Sequence, residues 1–264
     1  HVLGLEVALA DGSLVWVGGR TPGRPGYDLT GVLVGSEGTL GIVTKIAVRL
    51  QRLPEAVRTL LAVFRELDEA AAAVSAIIAH GIIPAALEMM DRLAIEAAAS
   101  TVPGGYPAEA GAVLLIEVEG LREEVEGEAS EVGGICRELG AVEIRAAETA
   151  EERERLWAGR KGAIGALGRL APNYFLVDGV VPRTRLVEVL RRVGEVGARH
   201  GLRIANVFHA GDGNLHPCIL FDERAPGQTE RVVQAGAEIM RLCVEAGGAL
   251  TGEHGVGLDK REYM

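Results

Sequence analysis

The residues whose spacing carries the most chemistry are the two histidines of Phe208-His-Ala-Gly-Asp-Gly-Asn-Leu-His216. An offset of seven positions would turn them to opposite faces of one unbroken strand. The intervening Gly211-Asp-Gly-Asn214 changes that, because Asp-Gly suits the positive φ angles of a two-residue hairpin turn. With Asp212-Gly213 as the turn, His209 is expected directly opposite His216, the two Cβ atoms about 5 Å apart on one face. That separation suits two nitrogen ligands on one metal ion. The competing reading is a polar hairpin whose rings merely pack or face water.

A second motif, Thr251-Gly-Glu-His-Gly-Val-Gly257, offers what a two-histidine site lacks. Glu253 can add an oxygen ligand and leave open positions for substrate, while His254 projects differently and can serve as a general base near neutral pH. The set His209, His216 and Glu253 suits several divalent ions, zinc, iron and manganese among them. Taken alone, Gly-Glu-His-Gly reads equally as a surface turn. A metal-dependent hydrolase and a non-catalytic metal- or partner-binding fragment both fit these residues. His80 and His200 each end an expected helix just before glycine, where a cation suits the helix dipole, and are read as structural.

These motifs need a scaffold, and 264 residues at 48% hydrophobic supply ample core for one or two domains. A net charge of −10 with both signs interspersed argues against a nucleic-acid partner. No window approaches the roughly 18 apolar residues of a membrane span. Cys136, Cys218 and Cys243 lie far apart and read as reduced thiols of a cytoplasmic protein. His1 opens onto a strand already under way and Asp259–Met264 looks like a helix being entered, so the chain is read as a fragment cut at both ends.

Residues 2–18 carry two strand-like runs split by Asp11-Gly12, then a Gly/Pro-rich loop from Gly19 to Gly26. Gly31–Gly41 flows into the β-branched run from Ile42, and Pro54 marks a boundary. Beyond it, strands are expected at 59–64, 113–118, 141–145, 174–181, 204–208 and 217–221, and helices at 67–80, 122–139, 151–170, 185–200 and 229–246. Two strand–helix–strand blocks of this kind imply an α+β fold: an antiparallel sheet with helices on one face, in ferredoxin-like repeats.

The run Gly26-Tyr-Asp-Leu-Thr-Gly-Val-Leu-Val-Gly-Ser-Glu-Gly-Thr-Leu-Gly-Ile-Val-Thr44, together with the two motifs above, resembles the FAD-linked oxidases of the vanillyl-alcohol-oxidase type. The resemblance implies that residues 1–54 are the C-terminal part of a p-cresol-methylhydroxylase-type FAD-binding domain. Residues 55–264 would be a substrate-binding cap domain, truncated at its C-terminus. It also implies FAD as cofactor, approached by Gly35, Gly38 and Gly41, hydrogen-bonded by Ser36 and Thr39, and met at its adenine by the Ile42 backbone. The expected substrate is a small 2-hydroxy acid of the glycolate or D-lactate type. Its carboxylate would be held by Arg160 in Leu156-Trp-Ala-Gly-Arg-Lys161, through a bidentate guanidinium. Leu176 and Cys218 stand where relatives acting on longer diacids carry polar groups, which fits a smaller substrate. His254 would take the hydroxyl proton while hydride passes to the flavin. Electrons would leave to a partner subunit or a quinone, in the cytoplasm or at the inner membrane through partners; homo- and hetero-oligomers both stay open.

Overall fold

The computed structural model describes residues 1–21, 23, 26–99, 105–107 and 109–264, which fall into two units, His1–Leu53 and Pro54–Met264. Part of the Gly/Pro-rich loop lies outside the described residues. In the first unit, β1 (Val2–Ala8), β2 (Leu14–Gly18) and β3 (Ile42–Val48) form an antiparallel sheet in the order β2-β1-β3, and α1 (Leu29–Leu33) precedes β3. Asp11-Gly12 lies in the β1–β2 turn, where Gly12 has φ +83° and the Asp11 carboxylate accepts from the Ser13 amide and hydroxyl.

The second unit is built on β4 (Ala56–Phe64), α2 (Leu67–Ala79), β5 (Ala86–Asp91), α3 (Arg92–Ala99), β6 (Ala112–Gly120), α4 (Arg122–Glu138), β7 (Glu143–Ala146) and α5 (Ala150–Ala166). It continues through β8 (Asn173–Leu176), β9 (Gly179–Val180), α6 (Leu186–His200), β10 (Arg203–His209), β11 (Asn214–Leu215), β12 (Pro217–Phe221) and α7 (Gln228–Glu245). Among the described residues, nine strands make one antiparallel sheet running β7-β4-β6-β5-β10-β11-β9, with β12 joining β10 to β8. The first block has the order β7-β4-β6-β5. The second repeats it: Ala249 bridges Val180 of β9, β9 pairs β11, and β11 pairs β10. The blocks meet where β5 pairs β10. This is the expected pair of ferredoxin-like repeats.

Strand alternation sorts the core. On β4, Leu60, Ala62 and Phe64 face α2 and α4, in a core that continues to α6 and α7, while Leu61 and Val63 face the other way. That second face is also covered, by Ile95 and Ala98 of α3 and Leu156 and Ala163 of α5, so the helices do not lie on one face only. β5 and α3 fall where the periodicity gives no element. Ala86-Leu-Glu-Met-Met-Asp91 has no β-branched residue, and its strand is buried on both faces, so neither propensity nor alternation reveals it. The expected strand at 174–181 is two short strands broken at Val177-Asp178.

Candidate metal centre and active site

β10 ends at His209, and the chain reverses through a 3-10 turn at Ala210–Asp212 before β11. His209 pairs Asn214, not His216, so the turn has four residues instead of two. Gly213 supplies the positive φ of +71°, and a Cβ there would lie 2.1 Å from the Val181 carbonyl oxygen. The register differs from the expected one by two residues, which preserves the parity of side-chain direction. The histidines therefore still share a face as diagonal neighbours, their ring centroids 5.4 Å apart and nearly perpendicular.

Glu253 comes to these rings from far downstream. Its Oε1 lies 2.8 Å from His216 Nε2 and 3.7 Å from His209 Nε2. One ligand atom from each of His209, His216 and Glu253 falls within 4.8 Å of the other two. These residues fit a divalent ion: two imidazole nitrogens and a carboxylate oxygen converge, and His209 carries an outer carboxylate on its second nitrogen. His254 stacks on His216 at 5.2 Å between centroids, with its Nε2 3.7 Å from the same Glu253 oxygen. His216 is buried, whereas Glu253 and His254 are 50% and 41% exposed at the side chain, so the cluster is open on their side.

Two acidic residues that the motifs do not contain hold this arrangement. Asp178, fully buried, accepts from Thr251 Oγ1 (2.6 Å), the amides of Gly252, Glu253 and His254, and Lys260 Nζ. Burial alone would raise its carboxyl, but these donors outweigh it and hold the group far below the usual carboxylate range. Glu88 on β5 accepts from His209 Nδ1 at 2.8 Å, and its other oxygen lies 2.5 Å from Arg160 Nη2. Burial works against the Glu88 charge, yet the His209 bond and Arg160 bring its carboxyl below normal. The same bond raises His209, while burial lowers His216. The only available signal for either acid was a lone charge inside an apolar run, Leu87-Glu-Met and Val177-Asp-Gly.

Arg160 is thus no solvated charge on α5. It is 7% exposed, ion-paired to Glu88, and its Nε finds no hydrogen-bond partner among the described residues. Leu176 and Cys218 are cross-strand partners in an apolar cluster with Ala205 and Leu167. The expected flavin residues lie in the first unit. Gly35, Gly38 and Gly41 all have positive φ, and a Cβ on Gly41 would meet Val7 Cγ1 at 2.6 Å. Thr39 turns its hydroxyl to the Ser36 carbonyl at 2.6 Å, and Ile42 begins β3 with its side chain exposed.

Residues 53–264 match the family described as FAD linked oxidases, C-terminal domain. Glycolate oxidase subunit GlcD of Escherichia coli is 44% identical over 264 residues, covering 100% of this chain and 53% of that protein. The Bacillus subtilis subunit of the same name is 44% identical, covering 100% of this chain and 56% of its own length. The mitochondrial D-lactate dehydrogenase [cytochrome] of Arabidopsis thaliana is 30% identical, with 100% and 47% covered. The chain therefore spans about half the length of the curated relatives it matches. A substrate-bound p-cresol methylhydroxylase structure shares the fold at TM-score 0.69 and 18% identity, covering 94% of this chain and 56% of that one. Among the described residues no helix is long and apolar enough to cross a membrane. Through its second unit, this chain belongs to the FAD linked oxidases.

Proposed function

We propose that this chain is the C-terminal portion of a flavoprotein that oxidises a small 2-hydroxy acid, of the glycolate or D-lactate type, to the 2-oxo acid. The observation that carries the reading is the convergence of His209, His216 and Glu253 with His254 stacked alongside. The names of the relatives at 44% and 30% identity support the substrate class. FAD, when bound, supplies the hydride acceptor for the substrate Cα hydrogen. A divalent ion at His209, His216 and Glu253 supplies Lewis-acid chemistry toward the substrate oxygens. His254 takes the hydroxyl proton; its exposed ring can reach a ligand on the open side of the cluster. Arg160, held beside His209 by Glu88, is the anchor for the substrate carboxylate. Gly35, Ser36, Gly38, Thr39, Gly41 and Ile42 serve the flavin, their glycine backbone permitting close approach.

Oxidation of the hydroxy acid releases a hydride from Cα and a proton from the hydroxyl; the proton goes to His254, and the two electrons would leave the enzyme through a partner subunit or a quinone. The reading thus places the enzyme in the cytoplasm, reaching the inner membrane through partners. The designation of two relatives as subunits supports a partner chain. In the full-length protein, His254→Asn is expected to lower turnover about 10²–10⁴-fold while the flavin absorption bands stay intact. Near-native turnover in that variant removes His254 from the role of base.

A further inference from the structure

Behind the ligand set lies a carboxylate that is not part of it. Glu88 is 7% exposed on β5, and its two oxygens serve two different groups. Oε1 is 2.8 Å from His209 Nδ1, whereas Oε2 is 2.5 Å from Arg160 Nη2, a charge-to-charge contact without hydrogen-bond alignment. A neutral imidazole has one N–H, and donating it from Nδ1 leaves the lone pair on Nε2. Nε2 is the nitrogen that faces Glu253. Arg160 is equally buried, so neither charge has water as an alternative partner.

We propose that Glu88 is a positioning residue that fixes the orientation and tautomer of His209 with one oxygen and holds Arg160 beside it with the other. The inference rests on the metal reading given above and deepens it: the ligand shell and the carboxylate anchor are tied to one side chain. An outer carboxylate of this kind orients a ligating imidazole and raises its basicity, and its loss weakens metal binding about 10–100-fold.

The test uses full-length protein, with zinc alone as probe in competition against a chromophoric chelator. The variants are Glu88→Gln, Glu88→Gln/Arg160→Met and His216→Ala, with calorimetry on the metal-free forms. Glu88→Gln strands the Arg160 charge and should lower Tm, whereas the double variant removes both charges and should regain most of it. Both should bind zinc at least about tenfold more weakly than wild type. That split separates positioning from packing, because a purely structural role would return zinc affinity together with Tm. Tight wild-type binding that His216→Ala abolishes, with less than about a tenfold loss in both Glu88 variants, overturns the role of Glu88 alone. Wild type that holds zinc no better than His216→Ala overturns the metal reading and this role with it.

Discussion

Asp178 has no exposed surface and gathers five donors, four of them from the segment Thr251–His254 and one from Lys260. It is the fastener that keeps Glu253 and His254 at the histidine pair. Asp178→Asn retains the shape but turns an amide N–H toward backbone amides and the Lys260 ammonium, which can only donate, so about 2–4 kcal/mol of stability should go. Zinc affinity should fall with it, because Glu253 loses the restraint on its own amide. Urea unfolding and chelator competition read the two effects; a variant within about 0.5 kcal/mol of wild type would show that the turn holds itself. At this scale, His209, His216, Glu253 and His254 were legible because each pair sits in one short motif whose glycines announce a turn. Even there, the exact register was not, since a four-residue and a two-residue turn place the rings on the same face. Asp178 and Glu88 were illegible for a different reason. The partners of Asp178 lie 73 to 82 positions away in the chain and the His209 partner of Glu88 lies 121 away, and only the folded sheet brings them together.

Among the elements, α5 is tied to the sheet by Glu117 of β6. Its carboxylate accepts from Arg153 Nε and Nη2 at 2.8 and 2.7 Å, Trp157 Nε1 at 2.8 Å and Thr59 Oγ1 at 2.8 Å. Burial opposes the charge, but Arg153, Trp157 and Thr59 prevail and lower the carboxyl. A depressed folded value means that the stabilisation is complete above the unfolded glutamate range, about pH 4.3, and is lost as acid carries the pH down through the folded value. Glu117→Gln should therefore cost roughly 1–3 kcal/mol at neutral pH, and the gap to wild type should close on acidification. Urea denaturation across an acid series checks this, and a gap independent of pH would mean that packing, not charge, ties α5 down. The helix itself was expected at 151–170 and forms over Ala150–Ala166, its start fixed by a Thr149–Glu152 capping box. By contrast, β5 consists of Ala, Leu, Glu, Met and Asp and takes its extended form from β6 and β10 on either side, a tertiary effect that local sequence does not encode.

For the whole molecule, the two repeats explain where the site is. Each places its second strand at one end of the order, and joining β5 to β10 there sets Glu88 opposite His209 in the register. The alternation of strands and helices made the repeats legible as topology, while the covering of the second face by α3 and α5 was hidden with the unread β5–α3 segment. All of Glu88, Arg160, Asp178, His209, His216, Glu253 and His254 lie within Pro54–Met264, which has its own continuous core. Metal binding is therefore expected to be a property of this unit, and the glycines of His1–Leu53 proposed to serve the flavin should not contribute to it. Zinc that binds the folded form only should stabilise it by about 2.7 kcal/mol at one hundred times Kd, or roughly 5–10 °C in Tm for a unit of this size. The comparison to make is full-length protein against Pro54–Met264 alone, each scanned by calorimetry with zinc and with a chelator. Equal zinc-dependent shifts in both, with flavin retained by the first only, support this division of labour. A shift confined to the full-length protein would mean that the ligand set is completed or held in place from outside the unit.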